Sequence, residues 1–347
     1  MAEDKIVGQI LAKLDTKKPQ IKQNAKVVED VIKALNRQFE ESNVLTKAHF
    51  MHGGSAFESL SINDDTDFDI IMVLPIPYVA EKFDAVPDAN NFFSLKWKIA
   101  EKMPRDSQGY LDAATLQKQI FQELKTCMSK VRVDGVKRID YKPQLAAFTL
   151  TITTTTGSTI SVDLVPQIAV KSWGPYLVPL HQLPRQLQDY VTTLESNGTP
   201  IYFFSPAAPG NFENKHRLCN IAFSMLEKDF LKKNIDIRDM VRLVKLVGVV
   251  LEWPQKYGLK AFHIKRLALK FSDQLKQKSK WDGYRFLLER LRSELQQNKV
   301  LYGFFIRNQV IYNKKPDIVE KFCKDISEVY FWTPSVVKDK VQQYIGC

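Results

Sequence analysis

Cysteine is scarce in this sequence of 347 residues, and the four cysteines lie far apart. No two of them are separated by only two residues and no group of histidines lies near them, which excludes an obvious zinc ribbon. The first residues do not resemble a secretion signal, so we expect free thiols in a reducing compartment. The cysteines are Cys127, Cys219, Cys323 and Cys347.

Long apolar runs are missing as well. The longest candidate, residues 246–251, is far below the roughly 20 residues that a membrane-spanning helix needs. Internal repeats and low-complexity tracts are also absent. These absences predict a folded protein without a membrane span, and a cytoplasmic location is the default expectation.

Hydrophobic residues make up 44% of the chain, which is enough for a substantial core, and the length suits two lobes better than one. Lys and Arg together number 50 against 39 Asp and Glu, which gives a formal net charge of +11. Such an excess of positive charge favours a polyanionic partner, and nucleic acid is the first candidate. Many basic proteins have no such partner, however.

Two acids at the start of an apolar stretch are the most informative feature. Asp67 and Asp69 flank Phe68 and lead into residues 70–74, an apolar run that is typical of a buried strand. Residues two apart on a strand share a face, so the two carboxylates point the same way. A divalent cation would offset their repulsion and desolvation, and an oxygen-rich site with room for phosphate suits Mg²⁺.

A Gly-Gly-Ser sequence precedes these acids, and one further acid follows much later. Gly54 allows close approach of backbone N–H groups to phosphate, Ser55 adds a hydroxyl, and Asp163 is the only acid of its predicted strand. Three acids on two strands match an arrangement that holds two Mg²⁺ ions against a nucleoside triphosphate. Each part alone has an ordinary alternative, a simple turn or a solvent-facing Asp. Asp65 lies two residues before Asp67 and would share its face on a continuous strand. It is not counted among the metal-binding acids because the residues around it are typical of a loop.

The N-terminal part is predicted to be helical. Apolar residues recur at helical spacing from residue 6 to about residue 43, with a long helix after Pro19. Lys18, Lys22 and Lys26 follow one another at steps of four and form a basic stripe on one face of this helix. The stripe is either solvated helix surface or a track for phosphates.

The remaining pattern predicts an α+β protein. A connecting, mainly helical region at 88–128 precedes a group of strands, and a Pro- and Gly-rich connection at 174–210 leads into helices. We expect a lobe with a mixed β-sheet and the long N-terminal helix in residues 1–175, and an all-helical lobe in residues 176–347. The strands are predicted at 132–141, 147–154 and 158–165, and the helices at 220–233, 237–253, 263–274, 281–296, 318–331 and 335–345.

The order of the Gly-Ser turn, the D-x-D pair in an apolar strand and the distant single Asp resembles the signature of the nucleotidyltransferase superfamily that includes DNA polymerase β. Within it, the sequence is similar to the Mab-21 group, and most closely to the cyclic GMP-AMP synthase-like receptors of animals. The resemblance covers most of the chain. It implies a polymerase-β-like nucleotidyltransferase lobe followed by a helical Mab-21-type lobe.

The resemblance implies a catalytic site with two bound cations, Mg²⁺ or Mn²⁺. Its metal-binding acids match Asp67, Asp69 and Asp163, and the Gly-Ser pair that grips the nucleotide triphosphate matches Gly54 and Ser55.

Further nucleotide-binding residues are implied in the second half. Residues 221–228 resemble the family's Leu-Ser-Phe-Ser-x-Ile-Glu-Lys helix and include Ser224. Lys245 falls where the family has a phosphate-binding lysine, and Phe262 falls where an aromatic ring stacks on a nucleobase. Without the resemblance, a helix-surface lysine and a core aromatic are the simpler interpretations.

The sequence departs from the vertebrate synthase in two places. The vertebrate enzyme carries an inserted zinc-binding thumb that helps it grip DNA, whereas the corresponding residues 232–239 contain neither Cys nor His. No structural zinc is therefore expected, and DNA is a less favoured activator than RNA, as in insect-type receptors of which some respond to double-stranded RNA. The base-reading Arg-Leu-Ser sequence is also altered, since Asn220 and Ala222 stand at its Arg and Ser positions. This leaves the choice of purine open.

The implied function is the synthesis of a cyclic dinucleotide of the cyclic GMP-AMP type from ATP and GTP, activated by double-stranded RNA in innate immune signalling. Dimerisation on the duplex is left open. One alternative is an RNA-activated enzyme that makes linear oligoadenylates with the same three acids. Another is a non-catalytic Mab-21-type scaffold, against which the intact acids argue. The candidate RNA-binding residues are Lys18, Lys22, Lys26, Lys228, Lys232 and Lys233.

Overall fold

The structure is a computed structural model that describes residues 2–15, 18–42, 44–53, 67–75, 83–88, 92–98, 103–206, 214–306 and 309–345. Gly54 and Ser55 lie outside the described residues, as does Asp65. The strands are β1 (His49–Gly53), β2 (Asp67–Val73), β3 (Phe83–Pro87), β4 (Phe93–Trp97), β5 (Val136–Pro143), β6 (Phe148–Thr154), β7 (Thr159–Val170), β8 (Tyr202–Pro206), β9 (Leu218–Ala222), β10 (Val300–Tyr302) and β11 (Val310–Asn313).

A mixed sheet organises the first two thirds of the chain. Among the described residues, nine strands follow the order β1-β2-β7-β8-β9-β4-β3, with β6 beside β7 and β5 beside β6. The long strand β7 is central, because β2 pairs along one edge while β6 and β8 divide the other edge between them. β2 and β7 run parallel, and the other strand pairs of the sheet are antiparallel. The predicted α+β class with a mixed sheet is confirmed.

Helices precede, flank and follow the sheet. The helices are α1 (Ala2–Asp15), α2 (Lys18–Arg37), α3 (Ala113–Lys130), α4 (Arg185–Ser196), α5 (Ser224–Lys233), α6 (Ile235–Val250), α7 (Trp253–Tyr257), α8 (Ala261–Lys270), α9 (Ser272–Leu275), α10 (Lys280–Asn298), α11 (Pro316–Tyr330) and α12 (Pro334–Ile345). Short 3-10 turns are Gln38–Glu41, Leu180–Gln182 and Lys215–Arg217. In the described part of the chain, none of the helices is long and apolar enough to cross a membrane.

The predicted long N-terminal helix is α2. Pro19 lies in its first turn, where a proline has no helical hydrogen bond to lose. Lys22 and Lys26 lie on the exposed side. The buried side follows helical spacing and consists of Asn24, Val28, Val31, Ile32 and Leu35.

The first helix, α1, packs against helices from the other end of the chain, α10 and α12. Val7, Leu11 and Leu14 are buried there. At its end, the Asp15 carboxylate accepts a hydrogen bond of 2.9 Å from the guanidinium of Arg242 on α6. The start of the predicted N-terminal lobe therefore lies against the predicted C-terminal lobe, and the boundary between residues 175 and 176 stays a prediction.

Three segments differ from the sequence predictions. The region at 88–128 contains β4 ahead of α3, and the presumed connection at 174–210 contains α4 and the sheet strand β8. The helix predicted from residue 220 begins at Ser224, because Leu218–Ala222 forms β9 and pairs with β8. Periodicity does not distinguish a short apolar strand from a short piece of helix, so pairing with distant strands decided these cases.

The helices predicted beyond residue 233 are present within a few residues of their expected bounds, and a short hairpin of β10 and β11 lies between α10 and α11.

The two faces of the sheet differ sharply around β6 and β7. Phe148, Leu150 and Ile152 alternate along β6 towards the main hydrophobic core and are fully buried. The threonines between them are partly exposed on the opposite face. On that opposite face lies a small apolar cluster, built from Ile71, Val73, Ala169 and Phe203 with Met51 and Met225 against it. The same face carries Asp67, Asp69, Thr149 and Asp163, which belong to the candidate site.

Candidate active site

Parallel pairing of β2 with β7 places Asp69 directly beside Asp163. Neighbouring strands lie about 4.8 Å apart, and residues paired across them share a face. Phe68 is buried, so Asp67 and Asp69 both turn to the opposite side, which is also the side of Asp163. The three acids predicted as catalytic and metal-binding residues thus share one face of the sheet.

The pKa of Asp69 is raised above its ordinary value. Burial of the carboxyl group contributes most, the negative charge of Asp163 acts in the same direction, and that of Asp67 adds to it. The positive charge of Lys265 opposes these effects. The acid cluster therefore carries a repulsion that a cation would relieve.

The chemistry of this face fits a divalent cation. Carboxylate oxygens are the ligands that Mg²⁺ and Mn²⁺ prefer, and the three acids Asp67, Asp69 and Asp163 supply them from two adjacent strands. Within the described residues, no three His, Cys, Asp or Glu side chains are already gathered into a metal-binding group. To hold a cation jointly, Asp67 and Asp69 would turn their side chains towards Asp163.

Thr149 on β6 completes the immediate surroundings of Asp163. Its hydroxyl donates a hydrogen bond of 2.6 Å to Oδ1 of Asp163, and the two residues are direct partners in the β6–β7 register. Thr149 was not among the predicted site residues. The sequence nevertheless contains a signal for this pair. Thr149 and Asp163 are equally distant from Thr156 in the turn, and residues placed in this way pair with each other in an antiparallel hairpin.

The end of β1 lies on the other side of Asp69. Gly53 is buried and pairs with Asp69 in the β1–β2 register. The following residues, Gly54 and Ser55, belong to the part of the chain that is not described, so their predicted contact with a triphosphate stays a prediction. Gly53 nevertheless shows that the chain leaves β1 next to the carboxylates.

Helix α5 is attached to β1 near the acids. The Nζ of Lys228 donates a hydrogen bond of 2.7 Å to the backbone oxygen of His52. At the start of the helix, the Ser224 hydroxyl oxygen is buried and has no hydrogen-bond partner among the described residues. A polar group in this condition has bonding capacity for a ligand, and the role of Ser224 in nucleotide binding stays a prediction.

A buried ion network connects α5 to α8. Glu227 is almost fully buried, with Lys265 Nζ at 3.2 Å and Arg266 Nε at 3.1 Å from its carboxylate oxygens. Burial works against ionisation, but the charges of Lys265 and Arg266 hold the pKa of Glu227 below its ordinary value. Sequence reasoning assigned no role to this network, although an acid on the apolar face of a helix usually has a buried partner.

Arg266 also supports the aromatic ring predicted to stack on a nucleobase. Its guanidinium lies 5.4 Å from the ring centroid of Phe262 and 6.0 Å from that of Phe223. Phe262 is half-buried and therefore keeps part of its ring accessible. Lys245, the predicted phosphate ligand, is half-buried on α6, a helix that packs against α8.

The candidate RNA-binding lysines are found in different surroundings. Lys22, Lys26 and Lys232 are exposed. The Lys233 ammonium lies 4.3 Å from the ring centroid of Tyr190, and Lys228 is committed to the backbone of β1 as described above. Lys18 is the first residue of α2.

Helices α2 and α5 both approach β1 at His52. Burial lowers the pKa of His52, the charge of Lys228 on α5 acts in the same direction, and the charge of Glu29 on α2 opposes it. The geometry agrees for both helices: Lys228 on α5 bonds to the backbone of His52, and Phe39, in the 3-10 turn that directly follows α2, packs against Phe50 of β1 with ring centroids 5.4 Å apart.

A mixed sheet whose parallel central strands bring a D-x-D pair beside a third acid is the architecture of polymerase-β-like nucleotidyltransferases. Residues 56–233, just over half of the chain, match the Mab-21 protein nucleotidyltransferase domain. The chain therefore belongs to the Mab-21 family of nucleotidyltransferase domains. The matched stretch continues beyond residue 175, through β8, β9 and α5.

The chain is also similar to a protein of Ctenocephalides felis named cyclic GMP-AMP synthase-like receptor. The two are 22% identical over 322 residues, which cover 80% of this chain and 72% of the relative. The resemblance predicted from the acid and Gly-Ser motifs is thereby confirmed.

Proposed function

We propose that this protein is a metal-dependent nucleotidyltransferase that joins ATP and GTP into a cyclic dinucleotide. The observation that carries the proposal is the register of β2 and β7, which sets Asp69 beside Asp163 with Asp67 on the same face. Membership of the Mab-21 family and similarity to a cyclic GMP-AMP synthase-like receptor support the choice of reaction and product.

The three acids have separate roles in the proposed reaction. Asp67 and Asp69 would hold the divalent cations, and Asp163 would bind the cation that activates the acceptor ribose hydroxyl. Bound Mg²⁺ or Mn²⁺ supplies positive charge that favours ionisation of this hydroxyl and neutralises the departing pyrophosphate. Since Oδ1 of Asp163 accepts the Thr149 hydrogen bond, Oδ2 is the oxygen available to take the hydroxyl proton.

Each of two successive transfers forms one P–O bond and breaks another. The acceptor oxygen attacks the α-phosphorus of a triphosphate, and the bond to pyrophosphate breaks. The second transfer joins the ends of the linear intermediate and closes the ring. Binding of the nucleotides falls to Gly54, Ser55, Ser224, Lys245 and Phe262, and Arg266 holds the ring of Phe262 in place.

Double-stranded RNA is the proposed activator, and innate immune signalling in the cytoplasm is the proposed setting. RNA duplexes are recognised mainly through phosphates and 2′-hydroxyls, which suits a chain with a net charge of +11 and exposed lysines on α2. Because α2 and α5 both approach β1, a duplex bound to them would act on the strand that precedes the Gly-Ser turn. Binding there would order the catalytic face.

The catalytic assignment is tested by Asp69→Asn and Asp163→Asn. Both variants should lose detectable product from ATP, GTP and Mn²⁺ while binding duplex RNA as the wild type does, because neither acid lies among the lysines. Asp134→Asn, the same substitution at an exposed acid before β5, is the matched control and should keep full activity. Synthesis retained by Asp69→Asn or Asp163→Asn would contradict the assignment.

The same assay distinguishes the proposed function from its two alternatives, an oligoadenylate synthase and a non-catalytic scaffold. Linear oligoadenylates from ATP alone would identify an oligoadenylate synthase, and the absence of product under every nucleic acid tested would identify a scaffold. Parallel reactions with duplex DNA and with no nucleic acid test whether RNA is the activator.

A further inference from the structure

The hydroxyl of Thr149 is aimed at one specific oxygen of the acid cluster. It lies 2.6 Å from Oδ1 of Asp163, a short distance that is typical of a hydroxyl donating to an ionised carboxylate. The bond leaves the other oxygen, Oδ2, without this donor. The two oxygens of Asp163 are therefore distinguished by the protein before any ligand binds.

The position of Thr149 is fixed by the sheet. It lies in β6 between two partners, Lys142 on β5 and Asp163 on β7, and Asp69 on β2 is the next residue across. Its branched Cβ restricts the side chain to few rotamers. By contrast, the terminal torsion of an aspartate has broad, roughly two-fold freedom. A rigid donor thus holds a group that would otherwise rotate.

We propose that Thr149 is a positioning residue that fixes the Asp163 carboxylate, so that Oδ2 is presented towards Asp69, the divalent cation and the acceptor hydroxyl. This inference rests on the proposed function for its catalytic part, whereas its metal-binding part is argued from the Thr149–Asp163 hydrogen bond and the strand register and is measured without nucleotide. Partners that hydrogen-bond to metal ligands typically contribute about 10- to 100-fold to metal affinity or activity.

A neighbouring threonine provides a matched control. Thr151 lies two residues further along β6, on the same face as Thr149. Its partner on β7 is Ser161 rather than an acid. A β-branched replacement suits a strand at either position. Any effect that depends only on the threonine content of β6 should therefore be the same at Thr149 and Thr151.

The first test measures Mn²⁺ binding to the full chain by isothermal titration calorimetry. Thr149→Val removes the hydroxyl with little change of shape and should weaken Mn²⁺ binding by about 10-fold. Thr149→Ser keeps the donor and should stay within about 3-fold of the wild type, while Thr151→Val should not change the affinity. Equal affinities for Thr149→Val and the wild type, or equal losses in Thr149→Val and Thr151→Val, would overturn the proposal. Thr149→Ala is a second donor-free variant if the valine variant does not fold.

A double-mutant cycle shows whether Thr149 acts through Asp163. If it does, Thr149→Val should cause little further loss of Mn²⁺ affinity once Asp163→Asn is present. Additive losses would assign the effect of Thr149 to some other group and would overturn the proposal.

The kinetic test follows the same variants with ATP and GTP. Thr149→Val should lower kcat by about 10- to 100-fold with KM changed by less than about 3-fold, and Thr149→Ser should recover most of the rate. A wild type that makes no nucleotide product would remove the proposed function, but the Mn²⁺ measurements would still decide whether Thr149 positions Asp163. Normal Mn²⁺ binding in Thr149→Val alongside an active wild type would overturn the inference and leave the proposed function in place.

Discussion

Three kinds of effect act on the carboxyl group of Asp69. Burial and the charges of Asp163 and Asp67 raise its pKa, and the charge of Lys265 only partly opposes them. Because the Asp69 side chain is exposed at the surface of the sheet, solvent screens this repulsion, and the ionised group costs little folding free energy at neutral pH. A destabilising arrangement of this kind is common where charge is arranged for a ligand rather than for folding.

Replacing Asp69 should therefore stabilise the protein when no divalent cation is present. At pH 7 with EDTA, Asp69→Asn should raise Tm slightly, by about 1 °C, in scanning calorimetry, because solvent screens much of the repulsion at this exposed position. The folded-state pKa is raised, so the cost of the charge is present above that pKa and disappears as pH falls through it. The gain in Tm should accordingly shrink on acidification. Asp134→Asn should leave Tm unchanged, and a lower Tm for Asp69→Asn at pH 7 would contradict the repulsion.

His263 is a buried histidine that the fold keeps neutral. Its Nδ1 accepts a hydrogen bond from the backbone N–H of Lys260, so Nε2 carries the proton and donates to the backbone oxygen of Ile311. Burial is the main cause that lowers its pKa to about 4. Protonation would also replace the Nδ1 acceptor with a donor facing the Lys260 N–H.

This histidine should make stability depend on pH. The unfolded state binds a proton near pH 6.5 and the folded state only near pH 4, so stability is lost as pH falls between these values. Between pH 7 and pH 5, the wild type should lose about 1.5–2 kcal/mol more unfolding free energy than His263→Asn. Urea titrations at both pH values measure this difference, and identical losses in the two proteins would show that His263 already titrates normally when folded.

At the scale of elements, strands β2 and β7 were both predicted from the sequence, but their pairing was not. The alternation of Asp67, Phe68 and Asp69 is a local pattern, and it correctly predicted which side chains share a face. The pairing of Asp69 with Asp163 depends on a register between strands far apart in the chain, which no local pattern specifies. Thr149 lies closer along the chain, in the same hairpin as Asp163, and was missed because the register of that hairpin was not worked out from its turn.

Apart from helix α4, the wrongly predicted elements are short strands that pair with distant strands. β9 has only five residues, and its apolar positions suit the start of α5 as well as a strand. β4 is equally short and is held between β3 and β9. Tertiary pairing overrides weak local preference in such segments. The long amphipathic helices α6, α10 and α11 were predicted well because their periodicity extends over several turns.

Helix α1 should contribute strongly to stability through its contact with α10 and α12. Leu14 is buried in this contact, and Leu14→Ala should lower the unfolding free energy by about 2–4 kcal/mol in urea denaturation. The exposed Lys5 on the same helix is the control, and Lys5→Ala should change the free energy by less than about 0.5 kcal/mol. Equal small effects of both substitutions would mean that α1 is not docked in solution.

At the scale of the whole molecule, the relevant features are the net positive charge and the position of α2 and α5 next to β1. The chain carries an excess of 11 positive charges, and α2 and α5 approach the strand that ends beside Asp69. A polyanion bound to the exposed lysines of α2 would therefore lie close to the catalytic face. This proximity is the physical basis of the proposed activation by RNA.

Loss of two lysines on α2 should weaken RNA binding in a salt-dependent way. The double variant Lys22→Ala, Lys26→Ala should bind duplex RNA about 10-fold more weakly, with a slope of log affinity against log salt reduced by about 2. Fluorescence anisotropy at several salt concentrations measures both quantities. The double variant Lys321→Ala, Lys324→Ala removes the same charge from exposed positions of α11 and should have little effect. Equal losses of RNA affinity in both double variants would mean that the lysines of α2 act only through the net charge of the protein and form no specific RNA-binding surface.

The identity of the nucleotide product tests the central claim most directly. Purified wild-type protein is incubated with ATP, GTP and Mn²⁺, with and without duplex RNA, and the products are treated with phosphatase and examined by mass spectrometry. The account predicts, in the presence of RNA, pyrophosphate release and a phosphatase-resistant product with the mass of one adenosine and one guanosine monophosphate joined in a ring. A ladder of linear oligonucleotides, or no nucleotide product while RNA remains bound, would contradict it.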